Sequence, residues 1–214
     1  MMKYKCIIFD NDGVLIDSES ISNRVMVEMA KEVGAAIDLE YAMKHFSGVS
    51  LQSTMDYVEK KAGKKLPDDF EQEFRKRTFE LFKTDLKPVK GVKKLLDKIT
   101  VPCCVASSGP REKLELSLKV TNLLPKFENR IFSCYDIGVW KPNPDIFLYA
   151  AGEMGFKPGE CVVIEDSLAG VKAAKSGGFD VFGFVNERNK KEFEELGATV
   201  FSTMEELAGL LGVE

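Results

Sequence analysis

The chain has 214 residues, 44% of them hydrophobic and 30% charged, with a formal net charge of −4. That length holds one or two domains with a real core, and the composition excludes a disordered or fibrous chain. The anionic balance argues against nonspecific nucleic-acid binding, which needs an excess of cations. No apolar run approaches the roughly 20 residues of a membrane helix.

In chain order, the first β-rich run is Tyr4–Phe9. From about Ser18 to about Leu86 no strand pattern follows. Val25, Met29 and Val33 keep helical spacing, as do Leu51, Met55 and Val58. Phe70, Phe74, Thr78, Leu81 and Phe82 form a third stripe, with Pro67 shortly before it. Roughly 70 residues of helix after one strand read as a separate inserted bundle. Strand and helix then alternate. The strand runs are Val101–Ala106, Arg130–Phe132, Cys161–Ile164, Val181–Val185 and a weaker Thr199–Phe201. The helical stretches are Gly91–Ile99, Arg111–Asn122, Pro144–Met154, Leu168–Ser176 and Lys190–Leu196. The strand runs lack polar alternation, so both faces are covered. An open parallel α/β sheet flanked by helices is the expected class.

Five cysteines without a CxxC, two of them adjacent at Cys103-Cys104, do not make a disulfide framework. They predict buried thiols in a reduced, cytoplasmic protein. Lys3 and Lys5 precede an apolar run that meets Asp10 after four residues, too short for a secretory leader. The single histidine, His45, falls in the helical insertion, which argues against a His-rich metal site or a Ser-His-Asp triad.

Four segments carry chemistry. The first strand runs into Asp10-Asn11-Asp12-Gly13; the two aspartates are two apart, and an extended backbone would point both to one side. Ligands of open α/β sheets bind beyond such carboxyl ends. A plain turn is an equal reading of this motif alone. Cys161–Ile164 likewise runs into Glu165-Asp166-Ser167, where Asp166 or Ser167 can instead cap the next helix. Were the two strands neighbours, their carboxylates would share a crevice. Two bare charges about 4 Å apart repel by roughly 4 kcal/mol at an effective dielectric near 20, so a cation is called for. Hard oxygen ligands without nearby His or Cys select Mg2+ over Zn2+. Ser107-Ser108-Gly109-Pro110 opens a helix whose first turn suits Pro110, and its hydroxyls and free amides make an anion cradle or simply a cap. In Trp140-Lys141-Pro142-Asn143-Pro144, Pro142 keeps Lys141 out of a helix, and Asn143 is the expected cap of the next one. The set is that of phosphoryl transfer, and no GxxxxGK[ST] loop accompanies it.

These residues, in this order, resemble the haloacid dehalogenase-like hydrolases. Asp10-Asn11-Asp12-Gly13-Val14 is similar to the family's DxDG[TV] motif. Ser107, Lys141 and Glu165-Asp166 resemble its second, third and fourth motifs. The resemblance implies a Rossmann-like core over 1–17 and 87–214 with a small all-α cap over 18–86, as in the subgroup of β-phosphoglucomutase and the sugar-phosphate phosphatases. It implies Asp10 as nucleophile and Asp12 as general acid and base. Mg2+ would lie on Asp10, the backbone carbonyl of Asp12 and Asp166, with Glu165 behind them. Ser107, Ser108 and Lys141 would hold the phosphoryl group, and Glu19 with the Phe46-Ser47-Gly48-Val49-Ser50 loop would read the substrate.

Tyr135-Asp136-Ile137, Trp140-Lys141-Pro142 and Ser107 with Gly109-Pro110 resemble the sugar-phosphate phosphatases most; Ser108 stands where Asn is expected. The implied substrate is a small phosphorylated metabolite, a sugar or sugar-acid phosphate such as 6-phosphogluconate. No nucleic acid or membrane is implied as partner, and oligomeric state is not legible. A phosphosugar mutase is the alternative, although Ser22 stands where mutases carry a histidine. A dehalogenase would not need the second aspartate or a metal. A phospho-accepting signalling domain of the receiver type would be shorter and uncapped.

Overall fold

The computed structural model describes residues 3–46, 49, 51–185 and 189–213. In chain order the elements are β1 (Cys6–Phe9), α1 (Glu19–Glu32), α2 (Leu39–His45), α3 (Leu51–Ala62) and α4 (Phe70–Asp85). There follow α5 (Val92–Lys98), β2 (Cys103–Ser107), α6 (Arg111–Val120), β3 (Ile131–Ser133), α7 (Cys134–Ile137) and α8 (Asp145–Glu153). The chain ends with β4 (Cys161–Glu165), α9 (Leu168–Ser176), β5 (Asp180–Phe184), α10 (Lys190–Glu195), β6 (Thr199–Phe201) and α11 (Met204–Leu211). It divides into two compact units, Met1–Ile16 with Pro88–Glu214, and Asp17–Lys87.

The first unit is built on a six-stranded sheet of order β3-β2-β1-β4-β5-β6, parallel throughout. Every residue of β1, β2 and β4 is buried, as the unbroken apolar runs require of strands covered on both faces. Helices supply the cover. Ile146, Phe147 and Ala150 of α8 pack with Val171, Ala173 and Ala174 of α9 and with Phe179 on the cluster around Ile8, Cys104 and Val163. Full burial of side chains of this size stabilises by about 1.5–3 kcal/mol each. The strand order reverses between β1 and β4, the switch point beyond whose carboxyl ends open α/β sheets bind ligands. Phe9 pairs in register with Ile164 and Val105, and Ser107 with Ser133, so the residues just beyond these strands meet at one edge.

The helical unit packs α1 and α4 through Ile21, Val25, Met26 and Met29 on one side and Phe70, Phe74 and Phe82 on the other. Arg24 reaches Asp85 at 2.6 Å. Tyr41 of α2 stacks between His45 and Tyr57, at 4.2 and 5.5 Å between ring centroids.

Three local expectations need correction. The first strand begins at Cys6 rather than Tyr4, whose hydroxyl donates to Asp180 at 2.8 Å. Asn143 does not cap α8: Pro144 occupies that position, and its carbonyl accepts from Phe147 and Leu148. Pro110 precedes α6 in extended conformation instead of forming its first turn. No described helix is long and apolar enough to cross a membrane, and the five cysteines are free and buried.

Candidate active site

Register places Asp10 beside Glu165. The Asp10 amide donates to Ile164 O at 2.9 Å, and both carboxylates converge on Lys141. Lys141 Nζ stands 2.6 Å from Asp10 Oδ1, 2.6 Å from Glu165 Oε1 and 3.3 Å from Ala106 O. It also lies 4.8 Å from the centre of the Phe147 ring. The three side chains are 6%, 10% and 1% exposed, so water screens none of these charges well. Glu165 Oε2 accepts from the amides of Asp166 and Ser167 and from Ser167 Oγ, each at 2.9 Å. Both oxygens of Glu165 are therefore engaged, and Ser167 Oγ also accepts from Gly170 N to cap α9. A Cβ on Gly170 would lie 1.7 Å from Glu165 Oε1, so only glycine fits there.

Burial pushes Asp10 up to about 7. Lys141 pulls it down, while the charges of Glu165 and Asp12 add to the rise. One ammonium shared by two buried carboxylates does not fully satisfy either. Burial opposes the charge of Lys141 too, but Asp10 and Glu165 outweigh it and hold the ammonium above its ordinary range.

Asp10, Glu165 and Asp166 present carboxylate oxygens all within 4.8 Å of one another. Set against Lys141, these three carboxylates leave two negative charges, which a divalent cation would balance. The donors are hard oxygens, as Mg2+ requires. Gly13 makes room for the third carboxylate: its φ is +77°, and a Cβ there would stand 1.7 Å from Asp166 Oδ2.

The Asp12 carboxylate is not a member of that cluster. Strand geometry ends at Phe9, and the Asn11 carbonyl turns to accept from the amides of Leu15 and Ile16. The Asp10 and Asp12 side chains thus do not sit as a same-face pair on an extended strand. Both oxygens of Asp12 instead lie 2.8 Å from Lys113 Nζ.

Ser107 is buried at the end of β2, with its Oγ accepting from Gly109 N at 3.2 Å, and Ser108 beside it is exposed. Ser133 Oγ donates to Gly109 O at 2.7 Å, which ties this loop to β3. Arg111 and Ser133 N both bond Asp136, the former at 2.6 Å. Lys113, Ser133 and the buried Asn11–Ser117 contact escaped sequence reasoning. The partners of Lys113 and Ser117 lie about a hundred residues away, and no local pattern marks them. Glu19 begins α1 in the helical unit, where it lines a cavity of about 200 Å3 with Ser22, Asn23, Phe46 and Thr54. Of the loop expected to read substrate, Ser47, Gly48 and Ser50 lie outside the described residues.

Residues 4–178 match the model of the haloacid dehalogenase-like hydrolases. The chain belongs to this family, and within it the chain is a phosphatase. It is 35% identical over 211 residues to the 6-phosphogluconate phosphatase of Escherichia coli, an alignment covering 98% of this chain and 96% of that one. It is 29% identical over 220 residues to a phosphorylated carbohydrates phosphatase of Thermotoga maritima, covering 97% and 98%. The crystal structure of a conserved haloacid dehalogenase-like protein from Agrobacterium tumefaciens superposes with a TM-score of 0.87 at 32% identity, covering 98% of each chain.

Proposed function

We propose that the chain is a Mg2+-dependent phosphatase of a small sugar or sugar-acid phosphate, such as 6-phosphogluconate, working through an aspartyl-phosphate on Asp10. The observation that carries the reading is the buried Asp10–Lys141–Glu165 network with Asp166 beside it. The substrate class follows the relatives from Escherichia coli and Thermotoga maritima.

In this reading Asp10 attacks phosphorus. An Asp10 Oδ–P bond forms and the P–O bond to the sugar breaks. The electron pair stays on the sugar oxygen, which takes a proton from Asp12. Water then attacks the same phosphorus and passes a proton to Asp12. The Oδ–P bond breaks with its electron pair returning to Asp10. The sum is ester and water to alcohol and phosphate, with both aspartates restored. Ser107, Ser108 and Lys141 hold the phosphoryl oxygens, and Glu165 positions Lys141. Bound Mg2+, on Asp10, Asp166 and the Asp12 backbone carbonyl, would neutralise charge on Asp10 and on the phosphoryl group. Glu19 is a substrate-binding residue in the same reading, and the cavity it lines in the helical unit offers hydroxyls and an amide.

The test is phosphate release from a panel of sugar phosphates with and without Mg2+, for the wild type and for Asp10→Asn. Metal-dependent release that Asp10→Asn abolishes is expected. Turnover without a divalent ion, or full activity of Asp10→Asn, overturns the reading. An isomeric sugar phosphate formed without free phosphate replaces hydrolysis by mutase chemistry.

A further inference from the structure

We propose that Lys113 is a positioning residue for the second half-reaction, holding the Asp12 carboxylate where it takes the proton of the attacking water. The inference rests on the reading of Asp12 as the acid and base group. Lys113 Nζ lies 2.8 Å from both oxygens of Asp12, in a pair whose side chains are 27% and 30% exposed. A contact to both oxygens restrains the carboxylate more than a single bond would. Four residues further along α6, Ser117 meets the buried side chain of Asn11 at 3.3 Å. Successive residues of the loop, Asn11 and Asp12, are thus gripped by one face of one helix at i and i+4.

That helix is itself anchored. The Pro110 carbonyl accepts from the amides of Lys113 and Leu114, and Arg111 pairs with Asp136 at 2.6 Å. The loop needs such a grip, because the chain has left the sheet at Asp10 and turns at Gly13 with φ +77°. In the step concerned, water oxygen bonds to phosphorus and the Asp10 Oδ–P bond breaks with its pair going to Asp10. The water proton moves to Asp12, whose placement within hydrogen-bond reach decides the rate.

The test is steady-state kinetics of Lys113→Met and Lys113→Arg, with acid quench and mass measurement of the phosphoenzyme during turnover. Lys113→Met is expected to lower kcat and KM together by about tenfold, a part of what a general base contributes. Its kcat/KM stays within about threefold of wild type, because that ratio reports formation of the phosphoenzyme and not its hydrolysis. The phosphoenzyme fraction rises in Lys113→Met, and Lys113→Arg, which keeps the charge, restores most of kcat. A merely structural role would lower kcat/KM with kcat and leave the phosphoenzyme fraction unchanged, which overturns the proposal. So does a Lys113→Met enzyme with unaltered kcat and phosphoenzyme. Asp12→Asn in the same assay separates the two readings. If it is as active as wild type, the role of Asp12 falls; if it is inactive while Lys113→Met is normal, only the inference about Lys113 falls.

Discussion

Replacing Asp10 by Asn should stabilise the metal-free protein while abolishing turnover. Burial raises the Asp10 carboxyl from 3.8 to about 7. The folded chain therefore holds a proton there that the unfolded chain releases between those values. The stability this group contributes is fully present below about pH 4 and is lost as pH rises through about 7. About three units at 1.36 kcal/mol each put the loss at no more than about 4 kcal/mol near pH 8. Asn carries no charge to desolvate. Lys141 loses one acceptor in the variant but keeps Glu165 at 2.6 Å, so roughly half of the gain, about 2 kcal/mol, should survive. At about 2–4 °C per kcal/mol for a chain of this size, Tm at pH 8 in chelator should rise by roughly 4–8 °C. The gap should narrow toward pH 5, and also when Mg2+ is added to the wild type. The assay is thermal unfolding of both proteins from pH 5 to 8, with EDTA and with Mg2+. A variant no more stable than wild type at pH 8 in EDTA would refute the claim that an unneutralised buried charge sits at Asp10.

Two further substitutions probe the same cluster. Lys141→Met leaves two buried carboxylates facing each other without their cation, and chemical denaturation should show a loss of about 3–5 kcal/mol along with loss of activity. Gly13→Ala forces a Cβ against Asp166 at a left-handed φ. Activity titrated with Mg2+ should need about tenfold more metal, and an unchanged requirement would mean that Asp166 holds no ion.

The sheet was legible because strands covered on both faces spell themselves as unbroken apolar runs, and all six were found with ends displaced by at most two residues, β6 at its expected bounds. Element ends followed tertiary partners instead, as with Tyr4 and Asp180. Helix α2 carried no stripe to find: Ala42 is its buried apolar residue, while Leu39 and Met43 are 41% and 40% exposed. Helix α11 did carry a signal, Thr203 capping with Met204, Leu207 and Leu211 in helical spacing, but the run of short apolar residues after β6 was not assigned. At the site, residues at strand ends were legible because topology brings strand ends together. That is why Asp10, Glu165 and Asp166 could be named; Lys141, in the proline-flanked loop before α8, was named from its motif, and the four are found side by side. What the sequence hid was where Asp12 turns. Its partner, Lys113, is a helix lysine like many others until the fold closes a separation of 101 residues.

The most direct measurement is mass spectrometry of enzyme quenched in acid during turnover, with peptide mapping of any phosphoryl group. One phosphoryl group on the peptide containing Asp10, absent without Mg2+ and absent in Asp10→Asn, is the result this mechanism predicts. Sustained phosphate release with a phosphoryl group on Ser107, or on no residue at all when the quench is fast enough to catch it, would contradict it.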